Sequence, residues 1–92
     1  MKNLQKTDKE MYKLFKQELQ RQQDTLSLIP SENIISQSIK ETIGSHLSNK
    51  YAEGYPNKRY YQGMKFIDQI EILASERAKK LFNVEYANVQ PY

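Results

Sequence analysis

The chain has 92 residues, 38% of them hydrophobic and 27% charged, with 14 basic against 11 acidic side chains and a net charge of +3. At most one small domain fits this length, and so short a chain buries a smaller share of its surface than a larger fold does, so marginal stability and a place as the surface layer of something larger are expected. The near balance of charge argues against nucleic acid as a partner, the lack of cysteine excludes disulfides and thiolate metal sites, and no stretch is apolar enough for a signal peptide or a membrane span; a soluble, cytoplasmic chain is expected.

Thr7 and Glu10 stand three apart as a capping box does, which predicts a helix over about 7–23. Met11, Leu14, Phe15 and Leu19 recur along it at helical spacing and leave one narrow apolar stripe for docking. A loop over 24–35 follows, in which Pro30 removes a donor and pushes Ile29 towards an extended backbone. Ser36 or Ser38 can cap a second helix over about 36–47, with Ile39, Ile43 and Leu47 on one face and Gly44 weakening its end.

Residues 49–63 show no period, yet they hold four of the seven tyrosines and two of the three glycines. So many bulky aromatics on turn chemistry predict an ordered, irregular loop rather than a disordered linker. From Phe66 the stripe Phe66, Ile70, Leu73, Ala74, Ala78 and Leu81 predicts a helix over about 65–82 that Asn83 can close. Tyr86 to Gln90 reads as a short strand halted by Pro91. The fold class expected is mostly α with a short terminal strand. Internal repeats and a second domain are not in evidence.

Neither a phosphate-binding glycine motif nor a cluster of His, Asp or Cys with metal spacing occurs, so no metal site is expected. The chemistry concentrates between Lys50 and Gly63, where Glu53 sits among Tyr51, Tyr55, Tyr60 and Tyr61 with Lys50, Lys58 and Arg59 nearby. Phenols and a carboxylate together can hold and relay protons, and a carboxylate shielded among rings is a usable acid near neutral pH. The commoner alternative for such a glutamate is a solvated loop charge. Lys58-Arg59-Tyr60-Tyr61 could also stack bases in a single strand, although no other basic stripe reinforces that reading. His46 reads as a partly exposed helix residue, and Ser31, after Pro30, as either an anion contact or a turn serine.

Leu28-Ile-Pro-Ser-Glu-Asn33, Asn49-Lys-Tyr-Ala-Glu-Gly-Tyr-Pro56, Lys58-Arg-Tyr-Tyr61, Glu76-Arg-Ala-Lys79 and Tyr86-Ala-Asn-Val-Gln-Pro91 together resemble serine hydroxymethyltransferase. The resemblance implies a fold-type I transferase dependent on pyridoxal 5'-phosphate, α/β when complete, of which this chain is the N-terminal arm and the start of the large domain. It implies an enzyme that moves a one-carbon unit between serine and tetrahydrofolate and yields glycine. It also implies a dimer or a tetramer with active sites between subunits. By the same resemblance Glu53 matches the acid–base glutamate, Ser31 the serine holding the substrate carboxylate, Tyr51 the tyrosine on the neighbouring subunit's cofactor phosphate, and Tyr60 and Tyr61 the pair lining the substrate and folate sites.

Pro30 stands where that family usually has alanine, Asn57 and Gln62 where it usually has glycine, and Tyr92 where it has histidine. The match stops before the Ser-Gly-Ser turn and the Schiff-base lysine of the family. The expectation is therefore an N-terminal fragment that binds no cofactor and is inactive by itself. The rival expectation is a small interaction module that docks on a full-length homologous subunit.

Overall fold

The computed structural model describes residues 1–90, so the expected stop at Pro91 and the departure at Tyr92 lie outside the described residues. Among the described residues the chain is mostly helical with one two-stranded antiparallel sheet, and it divides into two compact units, Met1–Ile35 and Ser36–Tyr92.

In the first unit the single helix expected from Thr7 is instead two, α1 (Lys2–Thr7) and α2 (Lys9–Asp24), broken at Asp8. Asp8 is extended, with φ −145° and ψ 93°, and serves both helices. Its N–H closes α1 on the Leu4 carbonyl at 2.8 Å, and its carboxylate caps α2 by accepting the Met11 N–H at 2.9 Å. Thr7 cannot act as that cap, because its hydroxyl donates back to the Asn3 carbonyl at 3.0 Å. The stripe of α2 is half covered at Tyr12 and Phe15, while Met11, Leu14 and Leu19 are exposed.

On the same side of α2, one turn beyond Leu14 and Phe15, Glu18 accepts from Arg21 Nε and Nη2 at 2.8 and 2.7 Å and from Gln22 at 2.8 Å. Those bonds, the arginine's first, pull the Glu18 carboxyl down to about 2. The helix ends at Thr25, which is extended and returns its hydroxyl to the Arg21 carbonyl at 2.7 Å.

In the second unit Ser36 caps α3 (Gln37–Ile43) by accepting the Ile39 N–H at 3.4 Å. This helix is shorter than the 36–47 expected: it stops at Gly44, and Ser45 then caps a separate 3-10 turn over His46–Asn49, on which His46 is exposed. The segment expected as irregular loop contains a minimal hairpin, β1 (Gly54–Tyr55) paired with β2 (Lys58–Arg59) in the register Gly54↔Arg59 and Tyr55↔Lys58. Its turn places Pro56 and then Asn57 at φ 64°, the order that a type II turn requires.

Helix α4 (Lys65–Phe82) starts at Met64, whose carbonyl accepts the Asp68 N–H at 2.8 Å. It ends at Asn83, which adopts φ 51° and ψ 51° and donates its N–H to the Lys79 carbonyl. Left-handed asparagine is a common helix terminator because its short polar side chain tolerates that backbone.

The terminal strand expected over 86–90 is absent. Among the described residues nothing pairs with Tyr86–Gln90 as a strand, and a single extended segment without a neighbour makes no ladder. The Ala87 carbonyl instead accepts from the Ser75 hydroxyl of α4 at 2.9 Å.

Met64, 5% exposed, is the one buried apolar side chain among the described residues. Phe66, Ile70, Leu73 and Leu81 of the α4 stripe are exposed, as are Ile39 and Ile43 of α3. An amphipathic helix with its apolar face in water has not yet met the surface that its pattern demands.

Candidate active site

The loop between α3 and α4 owes its shape to one side chain, Arg59. It stands on β2 with its side chain 5% exposed and reaches four partners at once. Nε donates to Asp68 Oδ1 at 2.8 Å, Nη1 donates to the carbonyls of Ala52 and Gly54 at 2.7 and 3.1 Å, and Nη2 lies 2.9 Å from Glu71 Oε2. The last contact is a charge contact without hydrogen-bond alignment, since Nη2 is buried and makes no well-directed bond.

Asp68 and Glu71 are one turn apart on α4, so both carboxylates face the hairpin. Asp68 also accepts the Asn57 N–H at 3.0 Å through Oδ2. The Arg59 bond first, and the Asn57 bond second, hold the Asp68 carboxyl below the usual range, while Glu71 and then Asp68 raise the Arg59 guanidinium. A second tie comes from Lys50, whose ammonium donates to the Gln62 carbonyl at 3.0 Å and closes the two ends of the loop.

Held in this way, the loop turns its functional candidates outward. Tyr51, Glu53, Tyr60 and Tyr61 are all exposed, Tyr51 to 75% and Tyr60 to 83%. The rings of Tyr51 and Tyr61 meet with centroids 6.0 Å apart and planes tilted by 33°, and the Tyr60 N–H donates to the Glu53 carbonyl at 3.3 Å. These four residues are therefore gathered on one short stretch of ordered backbone.

The shielding of Glu53 among rings, expected of a carboxylate in that neighbourhood, is not supplied within this chain: Glu53 is exposed, and the rings of Tyr51 and Tyr61 pair with each other.

Ser31 belongs to the other unit. It occupies a turn closed by the Glu32 N–H on the Ile29 carbonyl at 3.1 Å and braced by Ser27, whose hydroxyl donates to Glu32 Oε2 at 2.6 Å. Among the described residues no group of three or more His, Cys, Asp or Glu is arranged to hold a metal ion, and no helix is long and apolar enough to cross a membrane.

The serine hydroxymethyltransferase family model matches residues 4–92. The chain belongs to the serine hydroxymethyltransferase family. Among curated relatives, the serine hydroxymethyltransferase of Limosilactobacillus reuteri (strain DSM 20016) is 58% identical over 90 residues, covering 98% of this chain and 22% of that protein. Those of Endomicrobium trichonymphae and Mycoplasma mobile are 56% and 55% identical over 92 residues, each covering all of this chain and 22% of the relative. The chain thus spans about 22% of the length of the curated relatives it matches.

The departures from the serine hydroxymethyltransferase pattern find physical explanations in the loop. Asn57 takes the left-handed backbone that glycine would supply at the hairpin turn, as asparagine does at modest cost. Gln62 has no positive φ, so it needs no glycine; its carbonyl is the acceptor for Lys50. Pro30 is the second residue of the Ile29–Glu32 turn, a position that a fixed φ suits.

Sequence reasoning missed Arg59, Asp68 and Glu71 as the frame of the site. The available signal was the acidic pair Asp68 and Glu71, one helical turn apart on the same side of an amphipathic helix, directly after a loop bearing an arginine.

Proposed function

We propose that this chain contributes one wall of the active site of a cytoplasmic serine hydroxymethyltransferase, an enzyme that interconverts serine and glycine with transfer of a one-carbon unit to tetrahydrofolate. The observation that carries the reading is the ordered loop of the matched family segment, which presents Tyr51, Glu53, Tyr60 and Tyr61 outward while Arg59 fixes its back to α4.

An exposed wall needs a facing surface, and the uncovered apolar stripes of α3 and α4 are what a layer of a larger fold-type I transferase would carry. The facing surface is assigned to a second subunit of a dimer or tetramer.

In this reading the Glu53 carboxyl holds and moves the proton of the substrate hydroxymethyl oxygen, at the point where the carbon–carbon bond breaks or forms. Its exposure within this chain makes the second subunit and the folate the source of its shielding, so the acid becomes effective only in the closed site. Tyr60 and Tyr61 line the substrate and folate positions, and the Ser31 hydroxyl donates to the substrate carboxylate.

Pyridoxal phosphate, when bound in such an enzyme, supplies the electron sink. The residues present fit it only as a contributor of one contact. Tyr51 offers an exposed phenol suited to a phosphate oxygen, whereas every lysine among the described residues is at least partly exposed. Because the chain spans about 22% of the length of the curated relatives it matches, the 92 residues by themselves are assigned no turnover.

The test is a graft. Replacing the matching 90 residues of the Limosilactobacillus reuteri relative by this chain is expected to leave an enzyme that cleaves serine in the presence of tetrahydrofolate. A graft that assembles and binds its cofactor but turns over no serine would contradict the reading.

A further inference from the structure

The bonds of Arg59 bracket Glu53. Its Nη1 takes the carbonyls of Ala52 and Gly54, the residues on either side, at 2.7 and 3.1 Å. The carbonyl of Glu53 itself takes the N–H of Tyr60, the residue after Arg59, at 3.3 Å. Three consecutive carbonyls are thus committed to two consecutive residues, Arg59 at the end of β2 and Tyr60 just after it, and the other end of the guanidinium is anchored on Asp68 and Glu71 of α4.

No other side chain offers five donors in a rigid planar fork, and a lysine would bring a single ammonium to one of these places. Gly54 allows the bracket to close. It sits at φ 101°, and a Cβ there would lie 2.2 Å from the Lys58 carbonyl oxygen, so the two strands approach as closely as they do only because that residue is glycine.

We propose that Arg59 is the positioning residue for Glu53: it fixes the peptide groups before and after the acid, referring them to the rigid helix α4, and so sets where the exposed carboxyl stands. The inference rests on the assignment of Glu53 as the acid–base group. A group held by one flexible loop scatters its carboxyl over several ångströms, whereas one whose flanking carbonyls are pinned to a helix does not, and misplacement of about 1 Å at a reacting group costs on the order of a hundredfold in rate. Arg59 has no need to touch substrate to act in this way.

Two measurements test it. In the 92-residue chain, Arg59→Lys is expected to speed amide hydrogen exchange at Tyr60 by about tenfold or more while the centre of α4 is unchanged, because only the bracket opens. In the graft described above, Arg59→Lys is expected to lower kcat by roughly 10- to 100-fold with the KM for serine moved less than about threefold, since binding groups elsewhere are untouched.

A double variant separates positioning from general loosening. If Arg59 acts through Glu53, then adding Arg59→Lys to Glu53→Gln lowers kcat by less than about twofold further. Full additivity of the two losses, unchanged Tyr60 exchange, or a graft with Arg59→Lys that keeps kcat within about twofold would each overturn the proposal. Failure of the underlying reading has a different mark: Glu53→Gln alone would leave kcat intact, while the Tyr60 exchange in Arg59→Lys would still rise.

Discussion

Arg59 and Asp68 form a 2.8 Å ion pair that joins the second strand of a six-residue hairpin to the first turn of an 18-residue helix. They stand nine positions apart in sequence, and the pair is nearly covered, with side chains 5% and 15% exposed. It makes the loop around Glu53 an ordered extension of α4 rather than a tether.

The pair makes loop order depend on acidity. The Asp68 carboxyl is held below its ordinary value by Arg59 and by the Asn57 N–H, so the unfolded loop binds its proton at a higher pH than the docked loop does. Docking is therefore fully stabilised above the ordinary carboxylate range near about 4 and is lost as the pH falls through the lowered native value. Amide shifts of Asn57 and Arg59, followed from pH 7 downward, should move together in that acid window, and Asp68→Asn should remove the transition and leave the loop loosened at neutral pH.

Gly54→Ala should open the hairpin. The added Cβ would meet backbone atoms of Lys58 and Arg59 at a φ of 101°, with no flexible side chain to give way. A cost of about 1 to 3 kcal/mol is expected, confined to the loop. Lost protection at the Tyr60 amide with the helical signal of α4 retained would confirm it.

Asn57 divides two substitutions. At φ 64° alanine should cost the turn about 1 kcal/mol, whereas glycine, which occupies left-handed space freely but loses more entropy on folding, should change stability by less than about 0.5 kcal/mol. Thermal melts followed at the tyrosines of the loop would rank the three proteins. Equal losses from both changes would mean that the turn, not the backbone angle, limits stability.

What the sequence makes legible follows the range over which each element is determined. α4, eighteen residues long, is legible because one apolar stripe repeats along it from Phe66 to Leu81 and Asn83 ends it. The crowding of Tyr51, Glu53, Tyr60 and Tyr61 is equally plain, since all lie within eleven positions. The hairpin is not, because two-residue strands are too short to show alternation, and its cause lies in Arg59 bonds to residues seven residues before and nine to twelve after it.

Two further misreadings have local causes. Thr7 and Glu10 have the spacing of a capping box, but Asp8 lies one position nearer the true start and its carboxylate takes the N–H that matters. Tyr86 to Gln90 has the composition of a strand, yet strand formation depends on a neighbour that sequence spacing cannot supply.

Asp8→Ala should destabilise the start of α2 by about 0.5 to 2 kcal/mol, seen as faster exchange at the Met11 amide and a loss of helical circular dichroism. Thr7→Ala should change stability by less than about 0.5 kcal/mol, since the Thr7 hydroxyl merely returns to its own helix. The reverse order would restore the capping box.

The central claim is that this segment brings the acid–base group of a serine hydroxymethyltransferase to its site, and the most direct measurement is kcat for serine cleavage by the graft with and without Glu53→Gln. A fall of about 10²- to 10⁴-fold, with cofactor and serine still bound, is the predicted result for the loss of a general acid–base group. A Glu53→Gln graft that turns over at the unsubstituted rate would contradict it.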